Sequence, residues 1–292
     1  APRRAPAPPR GGRDGTVVNA FSHVFLAAWA LMVAVPLLWA FVSSFKDNRE
    51  ILQEPWGLPH ALRWENFAHA WTRAHLGGYF FNTVIVVGAG VFLTMLLGAM
   101  AAYVLARYDF PGNRLVYYLF VAGLALPVFL ALVPLFFVVS NLGLINTYTG
   151  LILVYVAYSL PFTVFFLHSF FRTLPTSVAE AAIVDGASHT RLFFQIMLPM
   201  ARPGLISVGI FNVLGQWNQF LLPTTLMQQT GPFDPAKKVI SQALADLAVQ
   251  QGYAGDWGAL FAGLTLATIP VLAVYLVFQR QVQAGLTAGT IR

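Results

Sequence analysis

The chain has 292 residues, 58% of them hydrophobic and 10% charged, a net charge of +6 and no cysteine, and its mean hydropathy is +0.68. Soluble domains carry about 25% charged residues, so the composition excludes one and describes a single all-α membrane domain. The absence of cysteine excludes a disulfide framework and any thiolate nucleophile or ligand.

Residues 1–18 are Pro-, Arg- and Gly-rich with little to bury, and read as a disordered cytoplasmic tail. Six apolar runs follow, at 19–45, 79–106, 115–140, 147–171, 203–222 and 257–279. Each reaches the roughly 20 residues that cross a bilayer, and none contains Lys, Arg, Asp or Glu. The first is too long for a signal-peptide core and reads as an uncleaved anchor. In the outer loop 46–78, Trp56, Trp64, Phe67 and Trp71 alternate with polar residues. They suit either short helices on the membrane surface or a docking face for an outside partner.

Gly98, Ala102 and Ala106 in the second run fall at i, i+4, i+8, a spacing that admits close helix approach. Pro127 and Pro134 in the third run and Pro161 in the fourth permit bends. Tyr158 adds polarity to the fourth. The fifth run places Asn212, Gln216 and Gln219 on one helical face, with Trp217 and Asn218 beside it. Such amides are expensive against lipid and belong against other helices or a hydrated path. An uncharged amide and aromatic lining suits neutral polyhydroxylated solutes; polar packing between subunits is the competing reading. In the second outer loop, 223–257, Val239, Ile240, Leu244 and Leu247 form one apolar face, expected to rest on the membrane or on a partner. The transmembrane domain ends near 281, and 282–292 form a C-terminal tail.

Between the fourth and fifth runs lies the segment 174–200, too elaborate for a connector. Ser177 and Glu180 have capping-box spacing, Gly186 suits a left-handed C-cap, Ser188 can cap a second helix and Pro199 can stop it. Leu192, Phe193, Phe194 and Ile196 crowd that second helix, which points to burial in a partner's groove or on lipid headgroups. Charge gives the orientation. With the N-terminus inside, the inner segments hold Arg3, Arg4, Arg10, Arg13, Arg107, Arg114, Arg172, Arg191, Arg202, Arg280 and Arg292 against Asp14, Asp109, Glu180 and Asp185. The positive-inside rule then assigns both termini and the segment 174–200 to the cytoplasm. The positive charge reports topology, and nucleic-acid binding is not implied.

No G-x-x-x-x-G-K-[ST] and no H-E-x-x-H occurs, so the chain has no P-loop and no zincin metal site. The runs hold no Asp, Glu, Lys or Arg for an ion or proton relay. A transporter so built must borrow its energy.

Glu180-Ala181-Ala182, three residues, Gly186, nine residues, then Ile196-Met197-Leu198-Pro199 matches the EAA motif of ATP-binding-cassette importer permeases. The chain resembles that family, in its carbohydrate branch the maltose-type G subunit. FVSSFKDNREI, WENFAHAW, NTVIV, WNQFLLP and the GLTAG tail carry the likeness over most of 20–292. The resemblance implies a type I ABC importer permease fold in a bacterial cell membrane. It implies a second permease subunit, an extracytoplasmic sugar-binding protein, and a cytoplasmic ATPase dimer that binds ATP and Mg; this chain binds no cofactor or metal. It assigns coupling to Glu180, Ala181, Ala182, Asp185 and Gly186, with Leu192 and Phe193 helping to hold the loop. One position departs: an acid often follows W-N in the family, and Gln219 stands there.

Overall fold

The computed structural model describes residues 13–228 and 237–287, and these are all-α, without a strand. α1 (Arg13–Ser43) leads to the outer loop with α2 (Asn48–Gln53) and α3 (Glu65–Ala68), which continues as a π-helical turn, His69–Arg73. α4 (Leu76–Arg107), α5 (Asn113–Leu124), α6 (Val128–Asn141) and α7 (Tyr148–Thr173) follow. α8 (Thr176–Val184), α9 (His189–Arg191), a π-helical stretch Leu192–Met197 and α10 (Leu198–Met200) form the segment between spans. α11 (Arg202–Trp217), α12 (Leu221–Leu226), α13 (Ile240–Ala254) and α14 (Trp257–Thr287) complete the chain.

Among the described residues, four helices are long and apolar enough to cross a membrane by themselves, within α1, α4, α7 and α14. Two bent pairs accompany them: α5 with α6, at 107°, is a broken span, and His189–Met200 meets α11 at 77°, where the inter-span segment turns into the fifth run. The third run is therefore not one straight helix. Pro127, with no N–H to donate, is the N-cap of α6 and ends the register of α5. The fifth run stops at Trp217, short of the expected 222, and restarts as α12. α1 begins at Arg13, inside the stretch expected to be disordered, and α14 runs on to Thr287 into the expected tail. Residues 1–12 and 288–292 lie outside the described residues.

α4 and α7 make the broadest helix contact, and small residues explain it. A Cβ added to Gly98 would lie 2.5 Å from Thr163 Cγ2 of α7; Gly90 serves the approach of α11 instead, where a Cβ would lie 2.5 Å from Gln216 Oε1. Gly98→Ala is therefore expected to lower the thermal midpoint of the purified protein, by roughly 1–3 kcal/mol of overpacking. Gly88 faces open space, so Gly88→Ala should leave the midpoint unchanged or raise it.

The loops sort to two ends. At one, Asn146 N donates to Leu226 O (2.9 Å), Asn82 Nδ2 to Lys238 O (3.0 Å) and Asn48 Nδ2 to Gly255 O (2.8 Å). At the other, Arg107 Nη2 donates to Leu174 O (2.6 Å) and Ser207 Oγ to Gln281 O (3.0 Å). α13 lies at the first end. Its apolar face packs on the chain's own helices rather than on lipid or a partner: Val239 and Ile240 are buried, and Leu244 and Leu247 meet Leu76 and Ala262 in one cluster.

Candidate functional site

The inter-span segment folds back onto α4 and α7. Leu192, Phe193 and Met197 are buried in one cluster with Ala102, Tyr103, Leu167 and Phe171. The Phe193 ring is 5.0 Å from Tyr103, which also meets Phe171 at 5.5 Å. These side chains hold the segment to its own chain, which answers why a non-spanning helix is so apolar. The π-helical stretch carries this crowding, and such stretches concentrate at functional sites. Tyr108 at the end of α4 meets the His189 ring, its hydroxyl 2.9 Å from Nδ1.

What the fold leaves outward is the other half of the motif. Glu180, Ala181, Asp185 and Gly186 are exposed, as are Ile183 and Val184, the latter 86% exposed; Ala182 turns inward. Gly186 has φ +82°, the left-handed cap expected, and Ser188 Oγ accepts from Arg191 N at 3.3 Å. The Ser177–Glu180 capping box is not formed. Pro175 is the N-cap and Thr176 begins the helix, so Ser177 already sits one residue inside it. Pro199 lies one residue from the end of the helix it was expected to stop, which runs from His189 to Met200 and breaks at Ala201.

The second assembly is a cavity of about 310 Å³ between α5, α7 and α11. Tyr158, Asn212, Gln216 and Gln219 all line it, together with Tyr155, Phe162 and Phe211. Its wall carries amides, hydroxyls and rings, and no acid or base. Asn212 Nδ2 donates to Thr163 Oγ1 (2.9 Å) and Val208 O (3.1 Å). Gln216 Nε2 donates to Ser159 Oγ at 3.1 Å and reaches Thr94 Oγ1 at 3.4 Å. Both amides thus tie α11 to α7 and α4 of the same chain, a packing within the chain rather than between subunits, and both residues line the cavity.

Two predicted residues lie elsewhere. Trp217 is rotated about 100° from Gln216. It is buried, donates to Ala267 O at 3.2 Å, and borders a separate, apolar cavity of about 260 Å³. Asn218 is the exposed C-cap of α11 and bonds Leu214 O. Sequence reasoning missed Thr163 as the partner of Asn212 and Thr94 as a partner of Gln216. Their signal was available: Gly90, Thr94 and Gly98 recur every four residues, as do Ser159 and Thr163.

A family model described as binding-protein-dependent transport system inner membrane component matches residues 90–287. The diacetylchitobiose uptake system permease protein NgcG of Streptomyces coelicolor is 56% identical over 273 residues, covering 94% of this chain and 89% of that protein. The trehalose transport system permease protein SugB of Mycobacterium tuberculosis is 33% identical, covering 88% of this chain and 92% of its own. Among solved structures, a bacterial ABC transporter involved in the import of the acidic polysaccharide alginate matches with a TM-score of 0.79 at 19% identity, over 94% of this chain and 99% of that one. At that identity the likeness is one of fold. This chain belongs to the family of binding-protein-dependent transport system inner membrane components.

Proposed function

We propose that the chain is the membrane-spanning permease subunit of an ATP-driven sugar importer, forming one side of the translocation pathway. ATP hydrolysis belongs to a separate subunit, which binds the nucleotide and Mg. A second permease, an ATPase dimer in the cytoplasm and an extracytoplasmic binding protein complete the assembly. Both termini and the segment 174–200 face the cytoplasm, in keeping with the arginine-rich inner loops. The observation that carries the reading is the division of 174–200 into an inward face, Leu192, Phe193 and Met197, and an outward one, Glu180, Asp185, Gly186 and Val184. A segment anchored in this way moves with α4 and α7, so a push on its outward face reaches the cavity wall.

The solute we propose is a neutral sugar, with an N-acetylated disaccharide the first to test, because the Streptomyces coelicolor relative is named for diacetylchitobiose uptake. The uncharged cavity wall favours neutral over acidic saccharides, since an anion there would lack a cationic partner.

Reconstituted with its partners, the complex should hydrolyse ATP faster when sugar-loaded binding protein is added; sugar uptake by this chain alone, without ATP, would overturn the proposal. Tyr158 is half exposed on the cavity wall, so Tyr158→Ala removes a stacking surface with little loss of packing. We expect severalfold slower uptake at unchanged complex yield. Wild-type uptake by this variant would take Tyr158 out of the pathway.

A further inference from the structure

Beyond α1 the chain makes a turn that transport does not explain. Residues 55–62, PWGLPHAL, contain no Asp, Glu, Lys or Arg, and they expose Trp56 and Leu58 by 76% and 80%. Exposed apolar residues on a loop are usually mobile; these are clamped. Lys46 is fully buried, and its ammonium donates to Glu54 O (3.0 Å) and Pro55 O (3.1 Å). The Trp39 indole N–H donates to the same Pro55 carbonyl at 2.6 Å. The His60 amide donates to Glu50 Oε1 at 3.0 Å, and the Arg63 amide to Phe45 O at 3.0 Å. A built scaffold thus presents two large apolar side chains to the outside.

The clamp also fixes their depth. Trp39 lies four residues before the end of α1, about 6 Å along its axis. The Trp56 ring stands 6.0 Å from the Trp39 ring. The loop therefore doubles back beside the spanning helix instead of rising away from it. The apolar span within α1, Asn19–Ser43, is 25 residues, or about 37 Å against a hydrocarbon core of about 30 Å. Its last turns accordingly sit where the core gives way to headgroups, the level favoured by tryptophan. The same clamps satisfy the carbonyls of residues 54 and 55 internally, as a backbone entering a water-poor layer requires.

We propose that residues 55–62 are an interfacial anchor: Trp56 and Leu58 insert into the headgroup–acyl boundary of the leaflet at the C-terminal end of α1. Insertion at such boundaries is about 5–10 Å deep. The occupant is lipid; the anchor sets the depth and tilt of α1, which touches the rest of the bundle mainly through α14. The inference rests on the membrane-spanning reading of α1 and needs no assumption about the sugar or the ATPase.

The chain has no native cysteine, which makes site-directed labelling direct. Leu58→Cys, carrying an environment-sensitive fluorophore, is placed in the assembled transporter in phosphatidylcholine–phosphatidylglycerol vesicles, with partner subunits free of reactive thiols. The expected result is severalfold stronger quenching by lipids bearing a nitroxide near the headgroup end of the acyl chain than by aqueous iodide. Val249→Cys, exposed on α13, supplies the opposite pattern. Leu26→Cys on α1 reports quenching by deep nitroxides; if it fails while Leu58→Cys behaves like Val249→Cys, the membrane reading of α1 has failed as well. Iodide quenching at Leu58→Cys with Leu26→Cys intact overturns the anchor alone and leaves a water-facing surface for a protein partner. Shielding from both quenchers also overturns it, and places another subunit there.

Discussion

Gly186→Val should cost ATP-coupled uptake at least about tenfold, while Gly186→Asn keeps most of it. Gly186 holds φ +82° with nothing within 4 Å of where a Cβ would stand, so size is not the obstacle. The left-handed conformation itself penalises an L-residue by roughly 1–2 kcal/mol, more for a branched one. About 1.4 kcal/mol is tenfold in the fraction of molecules with the segment correctly shaped. Asparagine tolerates the conformation and tests this account directly. Both variants should express and insert alike, because the residue is exposed and outside the buried cluster. The measurement is uptake per ATP hydrolysed in proteoliposomes. Equal loss in the two variants would mean that an interaction surface at position 186, rather than its backbone shape, matters.

The second large effect is expected at Phe193. Its ring packs against Tyr103 at 5.0 Å and Phe194 at 4.8 Å, and the residue is nearly fully buried. Phe→Ala at such a site costs roughly 3–5 kcal/mol. That loss falls on the docking of the inter-span segment rather than on the spans, which hold together through α4 and α7. Phe193→Ala should therefore leave a membrane-inserted chain whose segment 174–200 is cut rapidly by added protease and whose transport is lost. Phe194, 43% exposed, is the contrast: Phe194→Ala should stay protease-resistant. Rapid cleavage of both variants would show that the segment is held elsewhere.

Much of this was legible because membranes write a coarse code. Runs free of charge and about as long as a bilayer is thick reported the four long apolar helices and the two bent pairs. What the code omits is where a helix breaks inside an apolar run. Pro127 and Pro134 look equivalent in sequence, yet α6 accommodates Pro134 internally and begins at Pro127. The same ambiguity hid the environment of α13, since lipid, a partner and the chain's own helices all select Val239, Ile240 and Leu244. In the fifth run the face of Asn212 and Gln216 was readable from the helical period; Gln219 lies past the end of α11, against the helical expectation, and still reaches the cavity wall. Trp217 and Asn218 were added by adjacency, and one residue's rotation carried Trp217 into a different cavity. The capping box failed for a local reason: Ser177 has the right side chain, but Pro175 already fixes where the helix starts. That frees Glu180 from the one structural role its spacing suggested.

The break at 125–127 has a consequence for how the cavity is studied. Gly123, Leu124 and Leu126 line it at the C-terminal end of α5, where a helix leaves its last four carbonyls without the usual partners. Only in part are they taken up locally, by Ala125 N on Ala122 O and Leu126 N on Gly123 O. Peptide groups can therefore meet solute hydroxyls directly, and alanine substitution does not remove a peptide group. A side-chain scan of this wall would return many silent positions even if the solute touches all of them. Backbone amide-to-ester replacement across 122–125, which weakens the carbonyls of residues 121–124 as acceptors, would expose that share of the recognition.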